Sequence, residues 1–184
     1  WQGCPTLLHT PKGRLFAGWY SGGVREPDPG NYNLLVRSDD DGWNWSKPEL
    51  VIPGNPAENA LAIDIQLWLD PLERMWLFIT RRLYGGERRL TDEDHLEVWA
   101  IVCDDPDAEK LQWHEPRKIT QGFLRTQPTV LSNGDWLLCS YDWSSPNYRY
   151  SRSRDNGATW ERCEGGKRIA PYVGKELSNF DEGM

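Results

Sequence analysis

The pattern S-x-D-x-G-x-x-W occurs twice, as Ser38-Asp39-Asp40-Asp41-Gly42-Trp43-Asn44-Trp45 and as Ser153-Arg154-Asp155-Asn156-Gly157-Ala158-Thr159-Trp160. Each copy follows an alternating apolar or aromatic run, Tyr32–Val36 and Tyr148–Tyr150, and each precedes a short strand-like stretch. Repetition in one local setting constrains the fold more than any compositional figure. The residue types predict a turn between antiparallel strands. The Asp carboxylate accepts backbone N–H groups across the turn, and Gly takes a φ > 0 position. The Trp folds back to cover the hairpin end, so Trp45 and Trp160 are both expected to be buried. These roles are structural, and the pattern predicts a staple of the fold and not a catalytic site.

Around the two copies the chain divides into repeating units. Thr6–Leu8 and Arg14–Trp19 flank the turn Pro11-Lys12-Gly13, and Leu34–Val36 and Glu49–Val51 flank the first pattern. Ile65–Leu69 and Met75–Ile79 flank Asp70-Pro71, and Leu96–Val102 follows. Thr126–Leu131 and Trp136–Ser140 flank Ser132-Asn133-Gly134-Asp135. The middle unit carries an eroded pattern, with Asp104-Asp105 at the acidic turn, Pro106 and Asp107 in place of the glycine, and Trp113 as anchor. Ser38 and Ser153 lie 115 residues apart, two units of roughly 40–50 residues with loop insertions. The expectation is an all-β chain: a β-propeller with four-stranded antiparallel blades at about 1–54, 62–120 and 124–172, and residues 177–184 starting another. Three blades do not close a ring of the usual 4–8 or so, so the chain is expected to be about half of a six-bladed molecule. No amphipathic helix of more than a few turns can be drawn, which excludes an α/β fold.

Composition supports this and removes several functions. Eleven Trp, 17 Gly and 13 Pro fit short strands, frequent turns and aromatic anchors. A net charge of -7 without a basic stripe excludes nucleic acid as partner. Mean hydropathy is -0.71 and there is no long apolar run, so no membrane span is expected. Cys4, Cys103, Cys139 and Cys163 are widely spaced with no CxxC pair, so no metal site is expected; Cys103 and Cys139 read as buried thiols. No cofactor is implied. The chain opens on Trp1 and not Met, so the native N-terminus, the compartment and the oligomeric state stay open.

In such a blade the serine–aspartate turn joins strands three and four. The loops between strands two and three, and those between blades, emerge at the opposite end. Long polar loops fall there: Tyr20–Asn31 with Glu26 and Asp28, Arg81–His95 with Arg81, Arg82, Arg88 and Arg89, and Tyr141–Asn147 with Asp142. The blade starts add Gln2, Asp64, Arg125 with Gln127, and Asp181 with Glu182. Of the arginines, Arg81 and Arg125 stand nearest the axis, Arg125 opening an inward-facing strand; His95 reads as a loop residue. Carboxylates, guanidinium groups and aromatic rings converging on one mouth suit a sugar, stacked on rings and gripped at its polar groups. One carboxyl there must have a raised pKa to act as an acid, and the Glu26–Asp28 loop is expected to hold it.

With Gln2-Gly3-Cys4-Pro5-Thr6, Trp19-Tyr20-Ser21-Gly22-Gly23, Asn31-Tyr32, Leu67-Trp68, Gln127-Pro128-Thr129-Val130-Leu131 and Phe180-Asp181-Glu182, the arrangement resembles the sialidase (neuraminidase) superfamily, whose Asp-box, or BNR repeat, the twin pattern matches. The resemblance covers almost the whole chain. It implies an acid/base carboxylate from the first long loop (Glu26 or Asp28), a further acid at Asp64, and a Glu activating a tyrosine nucleophile at Glu182. That nucleophile and two clamp arginines are expected beyond Met184. The family's first clamp Arg precedes a Pro, where this chain has Gly3-Cys4-Pro5. Sialic acid specificity is therefore not implied. The sequence points to a glycoside hydrolase removing a terminal, acidic or neutral sugar, with a non-catalytic glycan-binding propeller as the alternative.

Overall fold

Alternating side chains in short runs bounded by Gly, Pro and Asp turns build three antiparallel meanders. The computed structural model describes residues 1–26, 28, 30–55, 60–83, 96–142 and 145–163. The first sheet is β1 (Gln2–His9), β2 (Leu15–Ser21), β3 (Tyr32–Ser38) and β4 (Leu50–Pro53), paired in chain order. The second is β5 (Ala60–Leu69), β6 (Met75–Leu83), β7 (Leu96–Cys103) and β8 (Arg117–Gln121). The third is β9 (Thr129–Val130), β10 (Trp136–Asp142), β11 (Ser145–Ser153) and β12 (Glu161–Arg162). The described residues contain no helix, so none is long and apolar enough to cross a membrane.

Two strand limits differ from the expectation. β5 begins at Ala60, so Asp64 lies within a strand and not ahead of one. The third inner strand is only Thr129–Val130, which leaves Arg125 outside it. Pro128 has no N–H to give to a ladder, which limits pairing on that side.

The middle sheet is buried on both faces because β6 alternates between two partners. Met75, Leu77 and Ile79 pack with Leu8, Phe16 and Leu35 of the first sheet. Trp76 and Phe78 pack with Leu124, Trp136 and Leu138 on the other side. Arginines clasp each seam. Arg14 donates to the carbonyls of Pro106 (2.9 Å) and Ala108 (2.6 Å), and Arg37 to that of Glu109 (3.2 Å). Arg74 donates to the Asn156 carbonyl (2.6 Å), and Arg117 to those of Gly157 and Ala158. In both seams the earlier blade supplies the guanidinium and the later blade supplies a turn.

The two serine–aspartate turns are hydrogen-bonded alike. Ser38 Oγ donates to Asp40 (2.8 Å) and accepts from Gly42 N (2.9 Å); Ser153 Oγ does the same with Asp155 (2.8 Å) and Gly157 N (2.8 Å). Asp40 accepts from Asn44 N and Asp155 from Thr159 N, both at 2.8 Å. The indoles do not match. Trp160 is partly buried against Trp76 and Trp136, whereas Trp45 is 43% exposed and Trp43 87% exposed. The expectation that both box tryptophans are buried is therefore wrong for Trp45, because no neighbouring sheet among the described residues covers its turn. All four cysteines are free; Cys103 is buried and Cys139 half-buried.

Candidate functional site

The site grows from one position repeated in three sheets. Cys4, Asp64 and Arg125 each lie five residues ahead of the last paired residue of an inner strand: His9, Leu69 and Val130. At Cys4 and Asp64 the ladder is broken by an irregularity, between Gly3 and Thr6 in β1 and between Ile63 and Gln66 in β5. Both residues take left-handed backbone angles, φ 48° and 49°. Such angles are uncommon outside glycine, and bulges of this kind re-aim a side chain. The three side chains meet. Arg125 Nη1 donates to Asp64 Oδ1 at 2.8 Å and contacts Cys4 Sγ at 2.8 Å, and its guanidinium lies over the Phe123 ring at 4.6 Å.

Burial sets the electrostatics. Asp64 is wholly buried, and its Oδ2 has no hydrogen-bond partner. Loss of solvent pushes the Asp64 carboxyl above its ordinary range; Arg125 opposes this and the nearby Glu26 charge adds to it. Burial, then the Asp64 charge, pushes the Cys4 thiol up to about 12, so it is no nucleophile at neutral pH. Burial also lowers the tendency of Arg125 to hold its proton, but Asp64 and Tyr141 more than offset this.

Beside this cluster, Tyr20 is buried with its hydroxyl between two partners. Trp1 Nε1 donates to it at 3.2 Å, and it donates to Glu26 Oε2. Burial and then the Glu26 hydrogen bond raise the pKa of the phenol. The Trp1 indole is largely exposed. The mouth thus offers a tethered carboxylate, a buried carboxylate–guanidinium pair and an aromatic face. It can move a proton at Glu26 and stack a ring on Trp1.

Of the residues singled out from sequence, Glu26, Asp64, Arg125 and Tyr20 come together. Asp64 is the wholly buried member of this group. Asp28 Oδ1 accepts from Gly30 N (2.8 Å), and Asp28 N donates to Asn31 Oδ1 (2.7 Å), so this carboxylate shapes its own loop. Gln127 donates to the Leu67 carbonyl at 2.7 Å, across the seam. Arg81 lies over Trp99 (4.7 Å) and faces Glu97 (3.9 Å). Gln2 is exposed at the start of β1. Asp142 ends β10, and its side chain lies outside what is described. His95, Arg88, Arg89, Asp181 and Glu182 also lie outside the described residues. Cys4 and Tyr141 were not singled out, although the repeat register points to Cys4. No group of His, Cys, Asp and Glu among the described residues is arranged to hold a metal ion.

No protein-family model matches the sequence, and no curated protein sequence does. Solved structures do match. The Hadza microbial sialidase Hz136 superposes at a TM-score of 0.64 with 18% identity, over 88% of this chain and 37% of its own. Trypanosoma rangeli sialidase in complex with sialic acid gives 0.63 with 14% identity, over 89% and 30%. NanB sialidase from Streptococcus pneumoniae gives 0.63 with 12% identity, over 88% and 44%. The fold is that of the sialidase propellers. The chain spans roughly a third of the length of the first two of these sialidases and under half of the third. Its sheets are blades of a partial sialidase-type propeller, with the Arg125–Asp64–Cys4 cluster formed where their inner strands converge.

Proposed function

We propose that the complete protein is a glycoside hydrolase that removes a terminal sugar, with Glu26 as the proton donor. The observation that carries this reading is Glu26 tethered by Tyr20 next to a buried Asp64–Arg125 pair. One Glu26 oxygen is held by the phenol, which leaves the other to protonate the glycosidic oxygen as the C–O bond breaks and the aglycone departs as an alcohol. Water then supplies the hydroxyl of the released sugar. Asp28, whose carboxylate closes its own turn, is the weaker candidate. Asp64, wholly buried, holds Arg125 in place beside Glu26, while Asp181 and Glu182 belong to the next blade, with Glu182 as base or activator. The ring is six-bladed, and this chain supplies three blades of it.

A glycan-hydrolysis screen on the complete protein tests the reading. Glu26→Gln should lower turnover at least about a hundredfold with the fold intact, and Asp28→Asn should change it only a few-fold. Binding of glycans without turnover by the unaltered protein would make it a lectin-like propeller instead. An inactive Asp28→Asn beside an active Glu26→Gln would move the acid to residue 28.

A further inference from the structure

The glycosidase reading leaves the charge of the sugar undecided, and the occupancy of two positions decides it. At Gly3 a Cβ would stand 2.3 Å from the Tyr20 hydroxyl oxygen and 2.6 Å from the adjoining ring carbon. No side chain can project into the mouth from residue 3 while the phenol is there, and Trp1 and Glu26 hold it there. Arg125 faces a wholly buried carboxylate at 2.8 Å. A substrate anion recruiting that guanidinium would strip Asp64, which has no exposure to solvent, of its counter-charge, which is strongly unfavourable. Glu26, held beside the same pair by Tyr20, is itself an acid and supplies no counter-charge to an incoming carboxylate. An uncharged sugar meets neither obstacle: its hydroxyls find acceptors at Glu26 and its apolar face finds the exposed Trp1 indole.

We propose that this mouth selects an uncharged terminal sugar, with Tyr20 and Asp64 as the residues that determine specificity. Tyr20 acts by covering Gly3, and Asp64 acts by occupying Arg125. The inference rests on the reading of this mouth as a glycosidase site.

The test uses the complete protein and matched 4-nitrophenyl glycosides of both anomers, hexosides against the corresponding hexuronides, with an N-acetylneuraminic acid glycoside alongside. Both kcat/KM and affinity by calorimetry are recorded. The neutral member of a hydrolysed pair should be preferred at least about tenfold. Asp64→Asn, which releases Arg125, should shrink that preference markedly. If this variant does not fold, the pair Gly3→Arg with Tyr20→Ala, which places a cation over the same spot, should shrink it likewise. Preference for the carboxylate member overturns the inference and leaves the glycosidase reading standing. Binding without turnover overturns the hydrolase, while the affinity ratio still decides the inference. Failure to bind or cleave any pair overturns both.

Discussion

The turns at residues 38–45 and 153–160 make the same hydrogen bonds and stand in different surroundings. In the later turn Gly157 lies against Trp76 and Trp136, and Arg117 holds the carbonyls of Gly157 and Ala158. In the earlier turn a Cβ on Gly42 would meet nothing closer than 3.7 Å, and both Trp43 and Trp45 face solvent. Hydrogen-bond geometry is thus a property of the eight residues themselves. Burial is a property of the blade that precedes them. The difference teaches that this pattern shapes a turn locally and serves as a seam element only when an earlier sheet is present to receive it.

The largest contrast should come from the glycines. Both have left-handed angles, φ 82° at Gly157 and 84° at Gly42, so alanine is strained at either. At Gly157 the new methyl also lies 2.5 Å from Trp76 and 2.6 Å from Trp136. Gly157→Ala should therefore cost about 3 kcal/mol or more and Gly42→Ala about 1 kcal/mol, read from urea unfolding midpoints. Equal losses would break the comparison, because they would mean that Gly42 is covered as well.

Trp160→Ala should cost about 2–3 kcal/mol, since the ring is partly buried in an aromatic cluster, and Trp45→Ala under about 1 kcal/mol. Repeating the pair in the complete protein sharpens the point: a cost for Trp45→Ala that rises to match Trp160→Ala would locate a covering blade.

Arg117→Met should cost about 1–2 kcal/mol through its lost carbonyl contacts and leave the earlier turn untouched. Hydrogen exchange at Gly157 and Gly42 would report this site by site.

The smallest effect should be acid sensitivity, and here the two turns should agree. Hydrogen bonds from Thr159 and Ser153 hold Asp155 at about 2 against an ordinary 3.8, and those from Asn44 and Ser38 hold Asp40 below that ordinary value. A carboxyl with a depressed pKa contributes stability above its unfolded value and loses it as pH falls through the folded one. Stability should thus fall between about pH 4 and pH 2, and Asp40→Asn or Asp155→Asn should each flatten that slope. Asp64 works in the opposite sense: its raised pKa makes it a source of stability at low pH that is lost as pH rises past 3.8.

How much of this was legible beforehand follows the range of the interactions. The turns are set by residues at most four apart, and the pattern alone was enough to place Ser38, Asp40, Gly42 and their counterparts. Strands β6 and β7 announced themselves as apolar runs. The exposure of Trp45 depends on a surface that the eight residues do not contain. Asp64 was legible as a site residue but reads as standing ahead of its strand; it lies inside Ala60–Leu69, at a left-handed bulge that an apolar run does not announce. Its meeting with Arg125 and Cys4 joins positions 61 and 60 residues away, and the register that equates them exists only once the bulges are counted. Asp28 with Gly30 and Asn31 is an Asx-turn signature, and its carboxylate and backbone bond within that loop.

The polarity of the seams bears on how the molecule is made. Arg14 and Arg37 precede the 106–109 turn that they grip, and Arg74 and Arg117 precede the 156–158 turn that they grip. On a ribosome, where the N-terminal portion emerges first, each of these four arginines is therefore synthesised before the turn it grips. Each new sheet arrives at a surface already equipped to hold it, and growth proceeds like a row of bricks laid against a finished edge.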